Sequence, residues 1–489
     1  MSLYAGFDCS TQSLSVVVID AGRRSVVFRD SVPFAEPFLT ATDAAVVHAS
    51  PRMWAAALDT VLGLVAANID RSALRAISGS AQQHGSVYCG RRPDVLTRET
   101  SPIWMDSSTG RECAEIETAM GGGGAVAQLT GSRAFPRFTG PQIRKFWRDE
   151  PEAYARTERI HLVSSFLASL LIGEHAPIDH ADGSGMNLMD LRSRKWSAAA
   201  LDATAPGLRD KLPALVPSAT VIGSLATTSQ QRFGLPPARI VAWSGDNPCS
   251  MVGTGLVHEG QLAVSLGTSD TIFGPMREPR VSRDGTGHVF ASALGEYMGI
   301  TVFRNGSLAR ERVRDEFGWS WDAFADGLRQ TPAGNGGAMM LPWFEPEITP
   351  SVPRPAVVRV DLDGGRPARH ARAIVEAQMM ALARHSAWMG VRPQAIHATG
   401  GAAANREILQ VMADVFDADV YPFDATDSAA LGAALRACQA DTGDDWAAVV
   451  RDFTTPLAAS GVRPDPEHVR TYRGLQPLYM ALEAAAAAG

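Results

Sequence analysis

Two stretches of similar character lie near the start of each half of the chain: YAGFDCSTQS at residues 4–13 and LAVSLGTSDT at residues 262–271. Each is a short apolar run that breaks into a turn rich in hydroxyl groups. Small residues in such a turn let backbone amides and hydroxyls converge on an anion, because no bulky side chain blocks the approach. Two such turns predict a clamp around the phosphates of ATP, and therefore a kinase or an ATPase.

The length of 489 residues exceeds the size at which one hydrophobic core usually keeps growing. We therefore expect two domains, at residues 1–255 and 256–489, with a ligand cleft between them. The boundary follows from a predicted strand at 240–243 and an exposed segment at 257–260, just before the second turn. Strand patterns that alternate with helical patterns indicate an α/β fold.

Composition argues against several classes of partner. The net charge is −7 and Lys and Arg form no long run, so nucleic acid and anionic membranes are not expected as partners. Five widely spaced cysteines without a CxxC pair argue against a zinc site and a disulfide framework, and favour the cytoplasm. The longest apolar stretch, residues 160–172, is interrupted by His161 and two serines, which predicts a buried helix. A monomer and a homodimer both remain open.

Asp8 ends the first predicted strand, beside Ser10, Thr11 and Gln12 in the turn. Its carboxylate would face a phosphate group held there, which makes sense only with a cation between them. Mg²⁺ keeps several waters and needs few protein ligands, so one carboxylate is enough. Asp8 is therefore the candidate for Mg²⁺, through water, and the three turn residues are candidates for ATP. An Asp that only caps a hairpin would leave the same pattern.

Asp246 follows a predicted strand and stands at the first turn of a helix, in the segment GDN. Phosphoryl transfer to an alcohol needs an acceptor for the hydroxyl proton, so Asp246 is the candidate general base. Asp is also a favoured helix N-cap, and the local sequence leaves that alternative open.

His84 in QQHGSVY and Arg137 in SRAFPRFTG are polar groups beside backbone shaped by Gly or Pro, which suits hydrogen bonds to a polyol. A purely structural histidine is the alternative. In the second half, the hydroxyl-rich turn could contact phosphates, and a later glycine pair would let the backbone approach adenine closely. A glycine pair before a helix is also typical of an ordinary tight turn, and this alternative remains open. These candidates are Gly267, Thr268, Ser269, Gly400, Gly401 and Asn405. Trp104 and Trp321 are interpreted as core or rim packing rather than ligand platforms.

Together these segments resemble the FGGY family of carbohydrate kinases, over almost the full chain. The resemblance is strongest to the animal-type members that act on D-xylulose, and the motifs that carry it are SAQQHGSVY, WMDSST, LTGSRAFPRFTGPQI, TERIHLVSSF, IDHADGSGMNL, SGDNP, AVSLGTSDT, FRNGSL, EITP and ATGGAAANREILQVMADVFDADVY. Cys9 and Gln142 depart from the broad family, which usually has Gly and Lys there, but both recur in the animal-type branch. Sugar contacts of glycerol or ribulose kinases are therefore not transferred.

The resemblance implies a two-domain actin/hexokinase-like (ribonuclease H-like) ATPase fold with an interdomain cleft. It implies ATP-dependent phosphorylation of D-xylulose to D-xylulose 5-phosphate, with Asp246 removing the O5 proton. The ketose would contact His84, Arg137, Asp246 and Asn247, and the adenosine would contact Trp321, Gly400, Gly401 and Asn405. Phosphates and Mg²⁺ would lie between the two turns.

Three alternatives remain. A kinase for ribulose, fuculose, glycerol or another polyol would differ only in a few pocket contacts. An actin-like filament former or chaperone ATPase would need no sugar-facing polar cluster. A non-catalytic sugar sensor is disfavoured, because Asp8 and Asp246 are both present.

Overall fold

The structure is a computed structural model that describes residues 1–39, 41, 43–282, 285–456 and 458–488. Two mixed sheets form its framework, one in each half of the chain. We call residues 1–255 the first half and residues 256–489 the second half.

Within the described ranges, the sheet of the first half has seven strands. Leu3–Cys9 pairs antiparallel with Ser13–Asp20 on one side and parallel with Leu74–Ala81 on the other. In spatial order the strands are Val221–Ser224, Arg239–Val241, Leu74–Ala81, Leu3–Cys9, Ser13–Asp20 and Ser25–Pro33, and Ser244–Gly245 also pairs with Leu74–Ala81. The central strands are apolar and buried on both faces, as expected for strands covered by helices.

The six-stranded sheet of the second half repeats this arrangement. Gln261–Leu266 forms an antiparallel hairpin with Asp270–Met276 and pairs in parallel with Ala395–Thr399. In spatial order the strands are His288–Ala291, Tyr297–Phe303, Asp270–Met276, Gln261–Leu266, Ala395–Thr399 and Asp419–Pro422. The repeat and the mixed α/β architecture confirm the fold predicted from the sequence.

Helices pack against both sheets. Those of the first half are Pro51–Asn68, Gly110–Ala119, Gly123–Thr130, Thr139–Asp149, Pro151–Arg156, Val163–Ile172, His180–Gly183, Ala198–Thr204, Leu208–Lys211, Thr227–Phe233 and Asp246–Gly253. Those of the second half are Ser307–Glu316, Trp321–Gln330, Pro367–Ser386, Arg406–Phe416, Ser428–Thr442, Trp446–Val450 and Pro466–Ala488. The 3₁₀ turns are Arg71–Ala73, Ser184–Met186, Asn335–Gly337, Ala387–Met389, Gly401–Ala404 and Ala458–Ser460. Short strand pairs are His48–Ala49 with Ser101–Pro102, Ser86–Cys89 with Arg159–Leu162, Ile178–Asp179 with Leu215–Val216, Met189–Asp190 with Lys195–Trp196, and Met339–Leu341 with Val358–Val360.

The expectation of one buried helix over residues 160–172 is wrong in its first part. Arg159–Leu162 is a strand that pairs with Ser86–Cys89, and the helix begins only at Val163. An apolar run by itself does not distinguish a buried strand from a buried helix. Here the pairing with Ser86–Cys89 makes residues 159–162 a strand.

The helix Ser428–Thr442 belongs to the second half but packs on the sheet of the first. A Cβ atom on Gly432 would lie 1.9 Å from the carbonyl oxygen of Cys249, so only glycine permits this helix to approach the helix Asp246–Gly253 so closely. Arg436 is buried there and donates hydrogen bonds to the carbonyl oxygens of Ser218 at 2.9 Å and Ala242 at 2.8 Å. These contacts hold the two halves together behind the cleft.

All five cysteines are free thiols in buried positions. Within the part of the chain that the structure describes, no helix combines the length and the apolar character needed to cross a membrane.

Candidate active site

The first hydroxyl-rich turn connects Leu3–Cys9 to Ser13–Asp20. The Ser10 hydroxyl donates to the Ser13 carbonyl at 3.0 Å and accepts from the Ser13 amide at 3.2 Å, so it holds the turn together. The Thr11 hydroxyl accepts from the indole nitrogen of Trp104 at 2.8 Å, which leaves its own proton free to donate. Of these two hydroxyls, that of Thr11 is therefore the one suited to a phosphate oxygen.

Asp8 lies at the base of this turn. Its Oδ1 atom is buried and has no hydrogen-bond partner among the described residues. Burial, and to a smaller extent the charge of Asp427, raises the pKa of Asp8 to about 6. The described residues contain no cluster of three or more side chains that could hold a metal ion. One unpartnered carboxylate nevertheless fits Mg²⁺, which takes its other oxygens from phosphates and water.

Asp246 is the first residue of the helix Asp246–Gly253, and Gly245 is the N-cap. The N-cap alternative for Asp246 is therefore wrong. Its Oδ1 atom accepts from the Asn247 amide at 2.7 Å and from Asn247 Nδ2 at 3.0 Å, which fixes the carboxylate. Desolvation in the cleft, together with the negative charge of Asp8, raises the pKa of Asp246 to about 7. A carboxyl group with a pKa near neutrality suits proton acceptance from a hydroxyl.

A cavity of about 330 Å³ contains Asp246 and three other predicted sugar contacts. Residues of both halves line it: Gln83, His84, Trp104, Arg137, Phe138, Asp246, Asn247, Thr271, His288, Phe290, Ile300 and Val302. The structure thus brings His84, Arg137, Asp246 and Asn247 together.

His84 has a strained backbone, with φ of 72°, and such strain often accompanies functional sites. Its Nδ1 atom is 2.9 Å from the carbonyl oxygen of Gly185, which can only accept, so Nδ1 carries the proton. Burial and the charge of Arg137 hold the pKa of His84 well below its usual range. The neutral ring therefore offers Nε2 as an acceptor for a hydroxyl proton.

The guanidinium group of Arg137 makes no hydrogen bond or ion pair with the described residues, and lies 5.7 Å from the ring centre of Phe135. Burial lowers the pKa of Arg137, although arginine stays charged. A guanidinium group with no hydrogen-bond partner among the described residues is free to bind oxygen atoms of a ligand. Arg137 thus complements the acceptors of His84 and Asp246.

Sequence reasoning missed several lining residues. Gln83 accepts from Asn247 Nδ2 at 2.8 Å, and its position next to His84 in QQHG was an available signal. Trp104, interpreted as packing, is 41% exposed in the cleft and lines the cavity. His288 comes from the second half, in a segment with no motif that connects it to a sugar.

A second cavity of about 740 Å³ lies within the second half. Five predicted nucleotide contacts line it: Gly267, Thr268, Trp321, Gly401 and Asn405. Trp321 lies at the rim of this cavity rather than in the core, because its indole is 41% exposed, and the guanidinium of Arg314 lies 4.5 Å from its ring centre. Asn405 caps the helix Arg406–Phe416 by accepting from two backbone amides through Oδ1, which leaves its Nδ2 hydrogens for a ligand.

Other candidates line neither cavity. These are Asp8, Ser10, Thr11, Gln12, Ser269 and Gly400. Gly400 has a structural reason to be glycine, since its φ is 86° and a Cβ atom would lie 2.6 Å from the Leu266 carbonyl oxygen. Thr11 is linked to the smaller cavity through Trp104.

Comparison with known proteins shows the family to which the chain belongs. The chain matches the N-terminal domain of the FGGY family of carbohydrate kinases over residues 3–253 and the C-terminal domain over residues 262–440. It is 41% identical to the xylulose kinase of Mus musculus, over 98% of this chain and 93% of the mouse protein. It is 40% identical to xylulose kinase 2 of Arabidopsis thaliana, over 89% of this chain and 87% of the plant protein.

The crystal structure of xylulose kinase from Rhodospirillum rubrum has the same fold, with a TM-score of 0.88 at 21% identity, over 99% of this chain and 98% of that one. The two-domain architecture expected from the sequence is confirmed. The chain belongs to the FGGY family of carbohydrate kinases, and so to the ATP-dependent sugar kinases.

Proposed function

We propose that this carbohydrate kinase of the FGGY family transfers the γ-phosphoryl group of ATP to O5 of D-xylulose. The observation that carries the proposal is the Asp246 carboxylate, which is fixed by Asn247 in the same cavity as His84 and Arg137. The choice of D-xylulose rests on the names of the mouse and plant relatives at about 40% identity.

In the proposed reaction, Asp246 accepts the proton of the O5 hydroxyl as that oxygen bonds to the γ-phosphorus. The bond from γ-phosphorus to the bridging oxygen breaks, and ADP leaves with the electron pair. His84 Nε2 accepts a hydroxyl hydrogen of the sugar, and Arg137 donates to its oxygens. Both contacts hold O5 in line for attack, and closure of the cleft keeps water out.

The larger cavity would hold the adenosine of ATP, with Trp321 against the base and Asn405 Nδ2 directed to it. The two turns would hold the phosphates through Thr11 and Thr268. Asp8 would bind Mg²⁺ through water, and when bound this ion neutralises charge on the phosphate oxygens. We place the two domains at residues 1–255 and 256–489. We also place the enzyme in the cytoplasm, because the free, buried thiols of this chain suit a reducing compartment.

The substrate is tested by sugar-dependent ADP release from the purified protein. D-xylulose is expected to give the highest kcat/KM in a panel with D-ribulose, L-ribulose, L-xylulose, D-fructose and glycerol. A higher kcat/KM for another sugar would reassign the substrate. ATP hydrolysis that no sugar stimulates would point instead to an actin-like ATPase.

Asp246→Asn tests the general base. Because Asn keeps the shape but cannot accept a proton, kcat should fall about 10²- to 10⁴-fold, while the thermal midpoint and ATP binding by calorimetry stay unchanged. Asp190→Asn is the matched control, since Asp190 also accepts from a nearby backbone amide, at 2.9 Å, but lies outside both cavities. Near-normal turnover of the Asp246→Asn variant would refute the assignment.

A further inference from the structure

We infer that His288, which the second half contributes, binds a hydroxyl group of the sugar and helps to select it. The inference rests on the proposed function and adds a specificity residue to the same cavity. It follows from where the strand that carries His288 is docked, how its ring is held, and which of its atoms is left without a partner.

The strand His288–Ala291 forms the edge of the second sheet. Its outer side is docked on the first half, where the Val289 amide donates to the Gly131 carbonyl at 3.0 Å and the Ala291 amide donates to Ser184 Oγ at 3.0 Å. Gly131 has φ of 90°, and a Cβ atom there would lie 2.2 Å from the Val289 oxygen. This docking brings His288 into a cavity whose other charged and titratable residues come from the first half.

The imidazole ring of His288 is held by contacts with residues of the first half. Its Nδ1 atom is 3.2 Å from Ser132 Oγ in the first half. Phe135 packs edge-on, with ring centres 4.9 Å apart, and Phe138 packs at 5.6 Å. The residue is only 4% exposed, and the described residues provide no hydrogen-bond partner for Nε2. A ring held at one nitrogen therefore presents the other to the cavity.

The chemistry of this wall favours a hydroxyl group as the ligand. Phe290, Ile300 and Val302 are apolar, so among the described residues His288 and Thr271 supply the only polar side chains that the second half adds to the cavity lining. Burial and the charge of Arg137 lower the pKa of His288 to about 3, so its ring is neutral and cannot serve as a counter-ion. A sugar hydroxyl both donates and accepts, and pairs with Nε2 in either tautomer.

Discrimination between sugars would then depend on Nε2 of His288. A site built to hydrogen-bond a hydroxyl disfavours an isomer that leaves the site unpaired. His84 also contacts Phe138, with ring centres 4.4 Å apart, so the two imidazoles flank one aromatic ring. A sugar in this cavity would be held by one histidine from each half.

Two substitutions separate the ring nitrogens. His288→Asn places an amide near the position of Nδ1, which retains a partner for Ser132 but removes Nε2. His288→Gln reaches the position of Nε2. We expect His288→Asn to raise the KM for D-xylulose about 3- to 10-fold, the effect of one lost hydrogen bond, with kcat within about twofold and the KM for ATP unchanged. His288→Gln should restore most of the sugar affinity.

Equal sugar KM for wild type and His288→Asn would overturn the inference, as would a His288→Gln variant no better than His288→Asn. Histidine ¹⁵N NMR of the wild-type enzyme tests the contact without a substitution. Saturating D-xylulose should shift two Nε2 resonances, those of His84 and His288. A His288 Nε2 resonance that does not shift would also overturn the inference. Failure of the proposed substrate is distinct, because wild-type enzyme would then prefer another sugar, and the KM comparison is run with that sugar.

Discussion

The two hairpin turns of the molecule share a sequence pattern and a sheet position, but differ in the surroundings of their acidic side chains. Asp8, before the first turn, has an oxygen without a hydrogen-bond partner among the described residues. Asp270, after the second turn, is buried against Arg310, whose guanidinium donates to both carboxylate oxygens at 2.8 and 3.0 Å. Arg310 also donates to Gln378 at 2.8 Å.

The difference shows that duplicated turns need not have duplicated chemistry. Asp8 is the last residue but one of the strand Leu3–Cys9, and the corresponding position in the strand Gln261–Leu266 is Ser265. The acid of the second turn instead neutralises a buried arginine and stabilises the fold. We therefore expect removal of Asp8 to affect catalysis, and removal of Asp270 to affect stability.

Asp270→Asn should give the largest stability effect. It leaves the buried charge of Arg310 without a counter-ion, and breaking such a pair costs about 3–5 kcal/mol of unfolding free energy. Urea unfolding measures the loss. Asp270→Asn combined with Arg310→Met should recover part of it, because no unpaired charge remains. A single variant as stable as wild type would contradict the structural role of the pair.

Asp8→Asn should lower activity and leave stability intact, the opposite of Asp270→Asn. Loss of a carboxylate that orients metal-bound water typically costs about 10- to 100-fold, so kcat should fall by that factor and the Mg²⁺ concentration for half-maximal rate should rise. Stability should be unchanged or higher, because the substitution removes a buried charge whose Oδ1 atom has no hydrogen-bond partner among the described residues. Asp20→Asn, at the end of the neighbouring strand, is the control. Normal Mg²⁺ dependence would exclude Asp8 as the metal contact.

The raised pKa values of two cleft carboxyl groups should make the stability of the protein depend on pH. The pKa values of Asp8 and Asp246 are raised to about 6 and about 7, so the folded protein holds these protons at pH values where the unfolded chain has released them. The ligand-free, Mg²⁺-free protein should therefore lose stability as the pH rises from about 4 to above 7. Thermal midpoints at pH 5 and pH 8 measure this loss, and Asp8→Asn should make it smaller. An equal loss in both proteins would contradict the raised pKa of Asp8.

Much of the framework could be predicted from local patterns. The strands around both turns, the helix that begins at Pro51 and the strand-to-helix step at Asp246 all follow from apolar periodicity and from residues that end or begin elements. The strand Arg159–Leu162 could not be predicted in this way, because only its pairing with Ser86–Cys89 distinguishes it from a helix. The exposure of Trp104 and Trp321 could not be predicted either, since exposure depends on neighbours distant in sequence.

By itself the sequence determined which residue types stand at the ends of which strands: Asp8, His84 and Asp246, with glycines where the chain needs positive φ or close approach. These are local properties of spacing and backbone freedom. Only the tertiary structure decided that no ion pair with a described residue neutralises Asp8 while Arg310 neutralises Asp270, and that His288 reaches the sugar cavity. Charge pairing and desolvation depend on atoms brought together from far along the chain, and no local pattern contains them.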